Sequence, residues 1–214
     1  MPSKNIVKHY VKGGYYHIYN RGVEKRIIFH DREDYTKFIF LVKLYLSPPD
    51  ELSQEFPLLR PHIVQHNLYG NLQLLAFCLM PNHFHLLIHQ KEIDAVTKFM
   101  RVLITSYSMY FNKRFERVGP LFQGVFKAVD VESDEYLLHL SRYIHLNPLD
   151  RGASLSDFQW SSYLYYLGEK EAKWLNTKII SDYFSSKNDK LTYRSFVEDY
   201  TKEEDKLPSQ LQLD

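Results

Sequence analysis

The chain is poor in several things, and each shortage excludes something. Among 214 residues there is one cysteine, Cys78. A lone thiol rules out a disulfide framework and makes a reducing interior the natural compartment. It lies in the apolar run 74–80, where it reads as a small buried hydrophobe. No apolar run approaches the length of a membrane span, and Met1-Pro2-Ser3-Lys4 lacks a signal-peptide core, so the expectation is a soluble, cytoplasmic protein with no membrane partner. Glycine and proline are few, 8 and 9, and there is no internal repeat or low-complexity segment. Net charge is nearly absent, +1, which by itself argues against a general nucleic-acid binder.

What is present is a large core and many rings. Hydrophobic residues make up 44% of the chain and aromatic residues 15%, with 17 Tyr and 14 Phe. That length and apolar content fit one domain with elaborations. The near-zero charge hides an asymmetry. Residues 1–32 carry Lys4, Lys8, Lys12, Arg21, Lys25, Arg26 and Arg32 against Glu24 and Asp31. Residues 98–127 carry Lys98, Arg101, Lys113, Arg114, Arg117 and Lys127 against Glu116. The segment after 197 is acidic. Two basic stretches thus bracket the middle of the chain and can form a basic rim around it.

Periodicity gives the order of elements. Residues 15–20 alternate as a strand ending at Arg21-Gly22. Residues 33–46 have helical spacing, stopped by Pro48-Pro49, and 47–60 read as a loop. Residues 63–69 and 72–80 read as strands joined at Gly70-Asn71, and 84–89 as a further strand after a Pro81-Asn82 turn. A long helix is expected over 94–115, a strand over 121–131, and a helix capped at Ser133 or Asp134 that runs to about Leu146. This order predicts an α+β fold, a ferredoxin-like antiparallel sheet packed by helices. Residues 1–150 form the expected core domain. Residues 151–214 form a helical C-terminal extension, with helical pieces near 176–185 and 191–203 and a disordered acidic tail.

The most informative stretch is Met80-Pro81-Asn82-His83-Phe84-His85. Side chains alternate along a strand, so His83 and His85 share one sheet face and Phe84 points into the other layer. Two adjacent imidazoles are half a metal site. Downstream, Tyr143 and Asn147 are four residues apart on a helix and share a face. If that face covers the histidines, His83, His85 and the Asn147 carbonyl oxygen converge on a divalent ion, Mg2+ or Mn2+, with positions left for phosphate oxygens. Tyr143 then stands one turn from a ligand as a nucleophile. His139, a turn earlier, is a candidate proton relay. Each piece has a plainer reading: a structural histidine pair, a packing tyrosine, an asparagine that ends a helix before Pro148, a solvated basic helix end at 113–117.

The motifs resemble, in order, those of the single-tyrosine HUH transposases, especially the REP-associated (IS200-like) branch. They are Tyr19-Asn20-Arg21-Gly22, the histidine stretch above, Tyr107 with Tyr110-Phe111-Asn112, Gly119 through Gly124, Arg142 through Pro148, and Trp160-Ser161-Ser162-Tyr163. The resemblance implies a nuclease and strand transferase acting on single-stranded DNA near hairpins. His83, His85 and Asn147 would hold the metal, and Tyr143 would form a 5′-phosphotyrosine link and release a 3′-hydroxyl. Val125 departs from the pattern, where many relatives have arginine, and Lys127 is the candidate replacement. Phosphate contacts are expected from Arg21, Arg101, Lys113, Arg114, Arg117 and Lys127, with Tyr107 and Phe122 as candidate stacking platforms, Tyr107 having a core place on its helix as the alternative. The resemblance suits a bacterial, nucleoid-associated protein, monomeric or homodimeric. The alternatives are a non-catalytic nucleic-acid-binding module of the same fold and a hydrolase that activates water.

Overall fold

A computed structural model describes residues 10–58, 65–184 and 192–199. Four strands form one antiparallel sheet: β1 (Tyr15–Arg21), β2 (Leu72–Met80), β3 (His83–Gln90) and β4 (Lys127–Asp130), in the spatial order β2-β3-β1-β4. Between β1 and β2 run α1 (Arg32–Leu46) and α2 (Pro49–Glu55), and between β3 and β4 runs α3 (Ala95–Arg114). After β4 come α4 (Asp134–Leu146), a 3-10 turn (Asn147–Arg151), and the short helices α5 (Tyr163–Tyr166), α6 (Lys178–Ser181) and α7 (Tyr193–Glu198). This is the α+β, ferredoxin-like arrangement with a helical extension expected from the order of elements. No helix among the described residues is long and apolar enough to cross a membrane.

Strand alternation sorts the core into two layers. Tyr16, Ile18, Leu74, Phe77, Leu79, Phe84, Leu86 and Ile88 face α1 and α3. Tyr19, Cys78, Met80, Leu87 and Val129 face the opposite way, onto Leu137, Leu140 and Ile144 of α4. Residues directly opposite in an antiparallel pair share a face. Tyr19 pairs with His85 and Arg21 with His83, so β1 delivers its own polar residues beside the histidine pair. The helix that carries Tyr143 covers that same face.

Local signals explain the helix starts. Asp31 caps α1 by accepting from the amides of Glu33 and Asp34, and Ser133 caps α4 by accepting from that of Tyr136. Gly22, just after β1, is required by a close approach: a Cβ there would lie 2.3 Å from the Arg26 carbonyl oxygen.

Three expectations need correction. Residues 47–60 contain α2, because Pro49 opens it and Asp50 and Glu51 occupy its first turn. The strand expected over 63–69 is not one over its described part. Asn67 donates to the carbonyls of Leu44 and Ser47, and the Leu68 amide to that of Tyr45. The segment is thereby tied to the end of α1, and β2 pairs with β3 instead. The strand expected over 121–131 shrinks to β4. Residues 121–123 instead make isolated backbone bonds to Arg21, Gly22 and Val23. The expected disorder of the C-terminal tail lies outside the described residues.

The chain after Gly152 runs along the outer edge of β2. The amides of Leu79, Ser162 and Asn176 and the carbonyls of Trp160, Phe77 and Leu74 pair across that boundary. A buried polar cluster ties α7 to α4: His145 Nδ1 lies 2.7 Å from the Tyr193 hydroxyl and its Nε2 2.6 Å from Ser162 Oγ. Tyr193 also donates to Ser141.

Candidate active site

The site lies where β1, β3 and α4 meet. His85 is fully buried and His83 partly so. Their ring centroids are 5.0 Å apart and nearly perpendicular. The Tyr143 ring stands edge-on to His85 at 5.5 Å and to His17 at 6.3 Å. Asn147, at the C-terminal end of α4, lies close enough to His83 and Tyr143 for its carboxamide to shift the protonation of both. The structure therefore brings His83, His85, Tyr143 and Asn147 together, and helical spacing of four is what puts Tyr143 and Asn147 on the same side.

The protonation states follow from partners that can act in only one way. Asn82 Nδ2 donates to the Lys25 carbonyl, and its Oδ1 accepts from Arg151 Nη2 at 3.2 Å. A carbonyl only accepts and a guanidinium only donates, so this amide has one orientation. Its Oδ1 lies 2.7 Å from His83 Nδ1. That nitrogen must carry the hydrogen, and Nε2 keeps the lone pair. His83 Nε2 and His85 Nε2 are both buried with no hydrogen-bond partner among the described residues. Asn147 Nδ2 donates to the Tyr143 carbonyl at 2.8 Å, which leaves Oδ1 as the acceptor branch of that amide.

Burial keeps these imidazoles neutral. It holds His83 down at about 4, with help from the nearby Arg151 and Arg21 guanidinium groups and against the pull of Asn147. It pushes His85 well below its ordinary range, reinforced by His17 and His83. Burial and the Asp150 carboxylate push the Tyr143 phenol up to about 12, while the Asn147 hydrogen bond pulls it back. A partly buried phenol in that state needs positive charge nearby before its oxygen attacks anything.

The predicted basic contacts divide between the two sides of the sheet. Arg21 pairs with His83 across the strands, and its guanidinium donates to Gln123 Oε1. Lys127 pairs with Tyr19, its ammonium 5.9 Å from that ring. Both are on the histidine face. Arg101, Lys113 and Arg114 belong to α3, which packs on the opposite face. Arg114 is held by Asp31, Glu33 and the buried Asp34, so its charge is spent on the start of α1. Arg117 bonds Asn112 Oδ1 and lies over Phe111.

The candidate stacking platforms are core residues. Tyr107 is fully buried, with its hydroxyl on the Ile28 carbonyl, and Phe122 is only 4% exposed. Neither can receive a base. His139 is engaged with Arg142 and Phe196 on the side of α7, which does not suit a relay to Tyr143. Val125, at the position where the resemblance leads one to expect arginine, is exposed.

Three residues at the site escaped sequence reasoning: His17, Asn82 and Arg151. His17 Nε2 lies 2.8 Å from His85 Nδ1. The signal for His17 was its spacing of two from Tyr19 and four from Arg21, which puts all three on one face of β1. Arg151 has no sequence signal beyond its place shortly after Asn147, and Asn82 reads only as a turn residue.

Residues 58–147 match the family model described as transposase IS200-like. No curated protein matches the chain. Among solved structures, a REP-associated tyrosine transposase bound to a REP hairpin aligns with 80% of this chain and 96% of its own, with a TM-score of 0.52 and 13% identity. That likeness is one of fold. A candidate transposase from Deinococcus radiodurans R1 aligns over 64% of this chain and 93% of its own, at a TM-score of 0.37 and 15% identity. The chain thus carries a segment of IS200-like transposase sequence, and that segment contains the histidine pair, the tyrosine and the asparagine.

Proposed function

We propose that this protein is a single-stranded DNA endonuclease and strand transferase of the tyrosine HUH transposase type. It cleaves beside hairpins such as REP-like or transposon-end palindromes. The observation that carries the proposal is the pair of unpartnered, buried Nε2 atoms on His83 and His85 with Tyr143 and Asn147 beside them.

Those two nitrogens and Asn147 Oδ1 suit a divalent cation, Mg2+ or Mn2+. Among the described residues no group of three or more His, Cys, Asp or Glu is arranged to hold an ion, so the third donor would be the amide. Bound there, the cation would supply positive charge against the phenolate and the phosphate. Asn82 holds His83 in the ligand tautomer. Arg21 and Arg151 flank His83 and would clamp phosphate oxygens. Arg151 thereby takes the place that Arg114 does not fill. Arg101, Lys113 and Arg117 would meet only DNA that wraps past the sheet, and Lys127 would contact the strand at the site.

In cleavage the Tyr143 oxygen bonds phosphorus as the bond from phosphorus to the 3′-oxygen breaks. The phenolic proton leaves, the 3′-oxygen takes one up, and a 5′-phosphotyrosine remains. Another 3′-hydroxyl reverses the step, so no external energy source is needed. The buried cluster of His145, Tyr193 and Ser162 keeps α4 on its own sheet, which favours cleavage in cis by a monomer. Residues 1–150 would form the nuclease unit and 151–214 the extension that braces it, working in the cytoplasm on nucleoid DNA.

The test is a hairpin-flanked single-stranded oligonucleotide with Mg2+ or Mn2+, read on a denaturing gel. A covalent protein–DNA band that disappears in Tyr143→Phe is expected. Cleavage that survives Tyr143→Phe but not His83→Ala would indicate an activated water. Binding without cleavage by the wild type under all metals would leave only a binding module.

A further inference from the structure

We infer that His17 is a positioning residue that supports His85 as a cation ligand by accepting the hydrogen of its Nδ1, so that Nε2 is left to face the ion. The inference rests on the proposal that His83, His85 and Asn147 hold a divalent cation.

His17 is fully buried on β1. Its one hydrogen bond among the described residues runs from Nε2 to His85 Nδ1, and its Nδ1 has no partner. The two rings lie 5.1 Å apart and within 16° of parallel. In register His17 stands opposite Leu87, one pleat beyond the Tyr19–His85 pair, so its ring reaches His85 diagonally.

That bond holds one hydrogen with two possible owners. If His17 Nε2 owns it, His85 Nδ1 accepts, and His85 Nε2 carries a hydrogen into the site with no acceptor and no lone pair to offer. If His85 Nδ1 owns it, His17 Nε2 accepts, and His85 Nε2 presents its lone pair beside that of His83. Either arrangement leaves one nitrogen of each ring unpaired, so hydrogen bonding alone does not choose between them. A cation on His85 Nε2 chooses the second. The outer partner of a ligating histidine is commonly a carboxylate or carbonyl. A neutral imidazole does the same task without adding negative charge where a phosphate must approach.

The measurement is Mn2+ binding to the full chain without DNA, followed by the electron paramagnetic resonance of free Mn2+. His17→Phe keeps a ring and removes the acceptor. His17→Gln supplies an amide oxygen in its place. Thermal unfolding without metal shows whether each variant is folded. The expected result is a loss of about 10- to 100-fold in Mn2+ affinity for His17→Phe, with His17→Gln restored to near wild type. Wild-type affinity in His17→Phe, or equal losses in both folded variants, would overturn the inference while the metal site stands. If the variants do not fold, long-range nitrogen–proton NMR of the wild type with Mg2+ decides. Hydrogen on His85 Nδ1 supports the inference, and hydrogen on His85 Nε2 overturns it. A wild-type chain that binds no Mn2+ overturns the metal site and the role of His17 together.

Discussion

Asn82 accepts a hydrogen bond from His83 Nδ1 at 2.7 Å, and it does so because Lys25 and Arg151 leave its amide no other orientation. A turn residue between two strands therefore sets the chemistry of the histidine that follows it. Asn82→Leu should weaken Mn2+ binding about 10-fold, since the ring is then free to carry its hydrogen on either nitrogen. Asn82→Asp, which keeps the acceptor, should bind at least as well as the wild type. Titration of both variants with Mn2+ checks this, and equal weakening in the two would contradict it.

Arg151 and Arg114 should separate binding from stability. Arg151 lies close enough to depress the His83 pKa. Arg151→Ala should weaken binding to single-stranded DNA several-fold and flatten its salt dependence by about one phosphate contact. Arg114→Ala leaves Asp34 buried without its cation. It should lower Tm by several degrees and change DNA affinity little. Fluorescence anisotropy at several salt concentrations, alongside melting curves, distinguishes the two.

Stability should fall steeply with acid. Burial lowers both His17 and His145 to about 3 in the folded chain. Unfolded, each titrates near 6.5. Both are neutral in either state above that value, so the folded state loses nothing there. As pH drops below 6.5 the unfolded chain takes up protons that the folded chain refuses. At pH 5 this amounts to about 2 kcal/mol per residue, or about 4 kcal/mol for the pair, a large share of a typical stability of about 5–15 kcal/mol. Urea unfolding from pH 8 to 5 measures it. A flat profile would show that these imidazoles are not buried neutral.

The polar cluster between α4 and α7 should be worth more than its size suggests. Tyr193→Phe deprives His145 and Ser141 of a shared partner in a dry environment. The expected cost is about 1–3 kcal/mol. Amide hydrogen exchange along α4, including the turn that bears Tyr143, should speed up in the same variant. Unchanged exchange would mean that α7 does not brace the tyrosine helix.

The parts of the site that the sequence revealed are those set by a local period. Alternation along β3 put His83 and His85 on one face, and a spacing of four put Tyr143 beside Asn147. The parts it hid depend on register between distant segments. His17 meets His85 only because β1 slides against β3 by a particular amount, and Arg151 meets Asn82 only because the 3-10 turn folds back over the β2–β3 turn. Arg114 looked like a surface charge for the opposite reason: its carboxylate partners are on α1, about eighty positions earlier in the chain. The segment at 63–69 misled because apolar alternation also suits residues that plug the end of a helix, as Leu68 does. Tyr107 does carry a sign of facing inward, since it stands at helical spacing from Met100, Leu103 and Phe111, whereas Phe122, outside any periodic element, carries none.

The backbone bonds that seat residues 160–176 against β2 have a consequence for association. An uncovered nine-residue edge would invite strand addition from another copy or an extended peptide. Here that template is already occupied by the chain itself. Contact between copies would therefore have to use side chains and helix surfaces, or the short β4 margin, in place of a continued sheet.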